Sequence, residues 1–316
     1  MAKKNNLIAI NALFDEINRR EGEGSIYTLD TAGANLAIPR WSTGLPELDA
    51  IIGGGMPCGR VVEIYGAEGS GKTSLLYHLC ARHAAALDIP IEGTFDAARA
   101  KVFGCKKGQL FVYRAKFGED ALNKTIKFAK AGIPIVGIDS LPSLMPRDDF
   151  EKILKNAEND KNEALRVGGI SGLLTNYMPV IEEVIENTKT TLIMINQIRD
   201  KIAALLFGDK VQTPGGHKIR HSYSLRIAVA RKAWIEIPNK NPANCAENEK
   251  VGMIIKCKIV KSKVCNPLGE CELPMFFDRG FVGFEEVVPI RKELMKQRLE
   301  QYGRKKSAES EAKDGQ

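Results

Sequence analysis

Gly66-Ala67-Glu68-Gly69-Ser70-Gly71-Lys72-Thr73 fits the spacing G-x-x-x-x-G-K-[ST], in which glycines let backbone N–H groups turn inward around phosphate oxygens. The flanks agree with that reading. Val61-Val62-Glu63-Ile64-Tyr65 has the character of a short buried strand, and Ser74 to Ala86 reads as a helix. A helix that opens directly after the loop adds its partial positive charge to the cradle. The pattern gives Lys72 the β- and γ-phosphates and gives the Thr73 hydroxyl a Mg²⁺, with Ser74 next in the first helical turn. A chance Gly-rich turn is the bland alternative, and the strand and helix on either side argue against it. Binding of a nucleoside triphosphate is the expectation.

The 316 residues suit one large α/β domain with small additions at the ends, or two modest domains, and 44% hydrophobic residues suffice for a core. The net charge of +7 comes from 46 basic and 39 acidic residues, an excess compatible with a polyanion partner without requiring one. Seven cysteines without a C-x-x-C pair argue for reduced thiols, mostly buried, rather than zinc or a disulfide framework. The N-terminal residues are polar and basic, and no apolar run approaches membrane length. A cytoplasmic protein without a membrane partner is expected.

Beyond the loop the chain alternates strands and helices, as a parallel sheet requires. Strands are expected over 110–114, 133–139 and 191–196, and helices over 119–131 and 173–187, Pro179 limiting where the second begins. Three further strands, 224–230, 233–237 and 252–261, read as an antiparallel extension. Before the loop, residues 5–20 place Leu7, Ile10, Leu13, Phe14 and Ile17 on one helical face, which needs the main domain or another subunit to cover it. From Val288 onward the chain reads as a basic helix, with its last ten residues polar and unstructured.

A triphosphate site needs an acid at the end of a neighbouring strand. Asp139, after Ile135-Val136-Gly137-Ile138 and before Ser140, has that form. Hydrolysis needs a group to orient water, and Glu92 in Pro90-Ile91-Glu92-Gly93 is the candidate. Gln197, directly after Leu192-Ile193-Met194-Ile195-Asn196, is a neutral side chain that can report on the γ-phosphate. For Asp139 the bland alternative is a cap on the next turn, and the loop before it favours the metal role. Glu92 and Gln197 are each weak alone, a solvated loop Glu being the ordinary reading. Segments 148–171 and 198–221 are too long for plain connections. The second carries Arg199, Lys201, Lys210, Lys218 and Arg220 around Gly208 and Gly215-Gly216, a mixture suited to a phosphate backbone.

As a set, these stretches resemble the RecA recombinase family. Ser42-Thr43-Gly44, the Gly53–Arg60 turn, the P-loop, Ile138-Asp139-Ser140, Ile195-Asn196-Gln197-Ile198-Arg199, Gly215-Gly216 and Val260-Lys261-Ser262-Lys263 occur in the order of the bacterial type. The resemblance covers roughly residues 5–290. It implies a RecA-like P-loop ATPase core: an α/β fold with a mostly parallel central sheet, an antiparallel extension, a short N-terminal helix and a reduced C-terminal region. Its parts would be 1–35 for oligomerisation and linkage, 36–275 for the core and 276–316 for a basic helix and tail.

The resemblance further implies ATP and Mg²⁺ as cofactors, with Glu92 activating water, Asp139 supporting the metal and Arg99 lying over the adenine. Lys261 and Lys263 would reach a neighbouring subunit's ATP in a helical filament. Gln197 would couple the γ-phosphate to the second DNA loop. There, Arg199, Lys201, Lys218 and Arg220 would contact DNA, Ile202 would wedge between bases, and Gly215-Gly216 would cradle phosphate. Single- and double-stranded DNA are the implied partners, and homologous pairing with strand exchange the implied activity.

Several residues depart from the family pattern. Pro90 stands where an acid is usual, and the interval before Glu92 is short. A second alignment puts Ala98 at the catalytic position and implies a weakly hydrolysing DNA-filament protein. The Glu92 alignment keeps residues 93–122 free of gaps. Gly172 and Pro179 replace expected arginines, and His221 replaces an aromatic residue. The trimmed C-terminal region resembles compact, phage-type members.

Overall fold

The computed structural model describes residues 2–22, 25–28, 37–93, 95–159, 169–200, 211–238 and 248–314. The chain divides into two units, Met1–Pro39 and Arg40–Gln316. The first contains α1 (Ala2–Glu21), in which Leu7, Ile10 and Leu13 are exposed. Gly22, with φ 108°, ends the helix. The chain then turns back so that the Asn18 side chain bonds both the N–H and the carbonyl of Ile26, at 3.1 and 3.0 Å.

The second unit runs β1 (Arg40–Trp41), α2 (Pro46–Ile51), β2 (Met56–Pro57), β3 (Val61–Gly66), α3 (Lys72–Cys80), β4 (Ala86–Pro90), α4 (Ala97–Val102), β5 (Leu110–Val112), α5 (Gly118–Lys130) and β6 (Ile135–Asp139). It continues with α6 (Arg147–Glu158), α7 (Gly169–Thr188), β7 (Thr191–Gln197), β8 (Arg199–Asp200), β9 (Val211–Gln212), α8 (Gly216–Ser222), β10 (Leu225–Ile237), β11 (Glu249–Ser262), β12 (Glu270–Phe276), β13 (Gly280–Phe281) and α9 (Phe284–Asp314).

Nine strands form one sheet in the order β13-β12-β11-β10-β3-β7-β6-β4-β5. Pairing is parallel from β10 through β5 and antiparallel from β10 through β13. This is the mixed sheet expected, with its antiparallel extension. Alternate residues of β3 feed two cores. Val62 and Ile64 pack with Leu75, Leu76 and Leu79 of α3. Val61 packs with residues of α5 and α7, among them Leu122, Leu174 and Ile181. A third cluster seats Ile290 and Leu294 of α9 on Ile235, Ile237, Val251 and Phe276. Gly137 explains how closely α3 lies on the sheet: a Cβ there would stand 2.7 Å from Leu76 Cδ1.

Four details depart from the sequence expectations. The helix after the loop ends at Cys80, and Ala86 instead opens β4, a fully buried strand between β6 and β5. Asp88 in its middle breaks the apolar run that would have announced it. Second, α7 starts earlier than residue 173 and runs straight through Pro179. Burial of Leu174, Met178, Ile181 and Ile185 outweighs the roughly 3 kcal/mol that an interior proline costs. Third, 224–230 and 233–237 are one strand, and the break between them is a register shift at Arg231/Ala233. Fourth, residues read as an unstructured tail belong to α9 as far as Asp314, where Ala308, Glu309, Glu311 and Ala312 favour helix.

The six described cysteines are free thiols, with Cys80, Cys105 and Cys257 buried. No cluster of three or more metal-ligating His, Cys, Asp or Glu occurs among the described residues. None of their helices is long and apolar enough to cross a membrane.

Candidate functional site

Parallel strands deliver the chemistry to one edge. Across the sheet, Gly66 of β3 is level with Gln197 of β7, and Asp139 of β6 is level with Pro90 of β4. All four mark carboxyl ends, where open α/β sheets bind ligands. Between β3 and α3, Gly69 and Gly71 adopt φ 66° and 95°, conformations that glycine enters without strain. Gly66 is confined for another reason: a Cβ there would fall 2.0 Å from the Val229 carbonyl oxygen.

Lys72 Nζ donates to the Ala67 carbonyl at 2.7 Å, so the lysine folds back along its own loop. Burial lowers its pKa, against which Asp139, Glu92 and Glu68 pull upward. Thr73 Oγ1 donates to Asp139 Oδ2 at 2.6 Å. Burial raises the Asp139 pKa and Glu92 adds to the rise, while the Thr73 bond and Lys72 oppose it. A triphosphate with Mg²⁺ suits this donor set. Ser70 Oγ is buried without a hydrogen-bond partner among the described residues. Thr73 and Asp139 together offer the oxygen ligands that a hard cation takes.

Glu92 follows β4 and is exposed. The backbone here is held to β6, with Ile91 N and Glu92 N donating to the Asp139 carbonyl at 2.6 and 3.4 Å. Glu92 Oε1 accepts hydrogen bonds from Ser140 Oγ and, at 3.0 Å, from Gln197 Nε2. Thus Glu92, Asp139 and Gln197 meet beside the loop. Ala98, the residue of the second alignment, is exposed within α4. Arg99 lies on that same helix, which Asp96 caps through Arg99 N. Its Nη2 donates to Ser74 Oγ at 2.8 Å, bringing the guanidinium to the first turn of α3.

The second long segment leaves β7 right after Gln197. β8 and β9 pair antiparallel as its stem, Arg199 opposite Gln212. Lys201 and Ile202 lie outside the described residues, as do Lys210 and the side chains of Arg199 and Lys218. Gly215 and Gly216, with φ 107° and 82°, open α8, which also carries Arg220 and His221. Lys261 and Lys263 both reach the end of this helix. Lys261 Nζ donates to the Arg220 carbonyl, and Lys263 Nζ to the His221 carbonyl at 2.5 Å. Two cations at a helix C-terminus satisfy carbonyls that lack intrahelical partners. Of the first segment, α6 covers its start and residues 160–168 lie outside the described set.

Ser140, Asn196, Glu63 and Arg226 were not singled out from sequence. Ser140 had a local signal, since it directly follows the strand-end acid. Glu63 had a fainter one, as a charge inside an otherwise apolar buried strand. Their partners are remote in sequence, and only the fold brings them together.

Comparison with known proteins bears on the chain as a whole. The family described as the RecA N-terminal domain matches residues 8–282. Protein RecA of Aquifex aeolicus is 28% identical over 292 residues, covering 90% of this chain and 79% of the relative. Protein RecA of Lactobacillus acidophilus is 31% identical over 286 residues, covering 89% of this chain and 74% of the relative. For Protein RecA of Oceanobacillus iheyensis the identity is 31% over 295 residues, with 90% and 79% covered.

Proposed function

The chain belongs to the RecA family, and from that premise we propose that it is a cytoplasmic DNA-dependent ATPase which assembles on single-stranded DNA and promotes pairing and strand exchange with duplex DNA. ATP supplies a scissile phosphoanhydride and Mg²⁺ neutralises its charge. Gly66 to Thr73 cradle the phosphates, Lys72 pairs with their charge, and Thr73 with Asp139 hold the cation. Arg99 covers the base. Glu92 orients the attacking water, and Gln197 reports the state of the site to the loop that follows it.

The observation that carries this reading is the meeting of Gln197 with Glu92. A residue at the base of a basic loop touches the carboxylate best placed to orient water. Binding along 198–221 would use Arg199, Lys201, Lys218 and Arg220 for backbone phosphates, Ile202 between bases, and Gly215 and Gly216 for close approach. The exposed face of α1 supports docking on a neighbouring subunit, and Lys261 and Lys263 then serve that neighbour's ATP. Such head-to-tail contacts do not close, so they generate a filament.

The test is ATP turnover by the full chain with Mg²⁺, with and without single-stranded DNA. Turnover should rise about tenfold or more on adding DNA, a coupling of about 1.4 kcal/mol or more, and Lys72→Ala should abolish it. Turnover indifferent to DNA would refute the reading.

A further inference from the structure

Asn196 precedes Gln197 at the end of β7 and is fully buried. Its Oδ1 accepts from Gln197 N at 2.9 Å. Its Nδ2 donates both to Glu63 Oε1 at 2.8 Å and to the Pro214 carbonyl at 3.1 Å. Glu63 on β3, also fully buried, accepts Arg226 Nε through Oε2 at 2.5 Å. Arg226 Nη2 then reaches Thr213 Oγ1 at 3.2 Å. Thr213 and Pro214 are consecutive, so the contacts close into a ring: Asn196, Glu63, Arg226, Thr213, Pro214. Three adjacent strands supply Asn196, Glu63 and Arg226, and the Arg226 guanidinium also lies over the rings of Tyr65 and Tyr223, at 4.9 and 5.9 Å from their centroids.

The ring lies at a crossing point. The basic loop departs at Gln197 and returns at Thr213, so the ring ties its exit to its re-entry. A largely buried ion pair, hydrogen-bonded on one side to Asn196 and on the other to Thr213, resists piecemeal rearrangement, because each partner left unpaired is costly. A shift of the Gln197 backbone therefore acts on the Pro214 carbonyl through one side chain, and on Thr213 through Glu63 and Arg226. Beyond them, Arg226 faces Lys261 directly across β10 and β11, and Lys261 grips the far end of α8. The whole return segment, 213–222, is thus held from both ends by groups in register with one another.

We propose that Asn196, Glu63 and Arg226 are positioning residues that carry nucleotide-dependent movement of Gln197 to Thr213 and Pro214, the root of the second loop. This rests on the proposed function for the loop's contact with DNA, but the transmission itself needs only nucleotide.

Hydrogen exchange of the full chain, with and without Mg²⁺ and a non-hydrolysable ATP analogue, reads the transmission without DNA. In the wild type, the analogue should slow exchange in 66–73 and also in 211–222. Thr213→Val removes the hydroxyl at nearly constant volume. It cuts the link through Arg226 and leaves the Asn196–Pro214 bond, so it should reduce the slowing in 211–222 by roughly tenfold, as for one hydrogen bond to a charged group, and leave that in 66–73. Thr213→Ser should restore it, which a purely packing role for Thr213 would not require. Arg226→Lys should behave as Thr213→Val does. A Thr213→Val protein that responds like the wild type would overturn the proposal. So would a wild type in which 66–73 is protected and 211–222 is not. Absence of DNA-stimulated turnover in the wild type would instead overturn the recombinase reading, since that measurement does not enter the exchange result.

Discussion

Gln197 Nε2 donates to Glu92 Oε1 over 3.0 Å, joining residues 105 positions apart. The same carboxylate oxygen accepts Ser140 Oγ, so one atom links the ends of β6 and β7 to the segment after β4. On the proposed function, removing Glu92 would alter both the chemistry and the contact through which the loop senses it.

Glu92→Gln keeps the shape of the side chain and removes the charge. ATP turnover should fall by about 10²–10⁴-fold, the range for loss of a positioned general base, while nucleotide binding persists. Single-turnover kinetics beside an equilibrium binding assay separate the two. Unchanged turnover would remove Glu92 from the mechanism.

Gly66→Ala puts a methyl group 2.0 Å from the Val229 carbonyl oxygen. Backbone on both sides leaves little room to relax. Destabilisation of roughly 3 kcal/mol is expected, at the upper end for overpacking, measured by urea unfolding. A variant as stable as the wild type would show that β3 and β10 are less closely apposed.

Asp88 is fully buried in β4, and neither carboxylate oxygen has a well-formed hydrogen bond among the described residues. Burial pushes its pKa from 3.8 to about 7, the charge of Asp139 adding to the push and the Ile89 amide opposing it. The folded state therefore retains a proton that the unfolded chain releases. Below the unfolded value both states are protonated and the group carries no pH-linked penalty. Stability then declines as pH rises from about 4 to about 7, by an amount on the order of a few kcal/mol. Asp88→Asn should accordingly stabilise the protein at pH 8, and its advantage should shrink towards pH 4. Unfolding curves at the two pH values check the sign, and an equal effect at both would contradict it.

Lys201→Ala and Lys218→Ala should each weaken single-stranded DNA binding and flatten its salt dependence. Loss of one phosphate contact reduces the slope of log K against log salt by about 0.7. Fluorescence anisotropy across a salt series measures this, and unaltered slopes would place the DNA elsewhere.

The Gly66–Thr73 loop was legible because its eight residues are contiguous, and Gly69 and Gly71 answer local demands of the backbone. Asp139 and Gln197 were legible because both end apolar strands, so their position follows from periodicity. The ring of Glu63, Asn196 and Arg226 was not. Asn196 and Glu63 stand 133 residues apart, and nothing local says that β3 lies between β7 and β10. β4 was obscured by its own buried Asp88, and the length of α7 by Pro179. In both, tertiary burial prevails over the local signal. The paired action of Lys261 and Lys263 on α8 was likewise hidden, since carbonyls at a helix end leave no mark in sequence.

Electron microscopy of the full chain with single-stranded DNA, Mg²⁺ and a non-hydrolysable ATP analogue tests the central claim most directly. The account predicts helical filaments that need both nucleotide and DNA, with Lys261 and Lys263 of each subunit beside the Gly66–Thr73 loop of the next. Closed rings, or subunits that remain separate under these conditions, would contradict it.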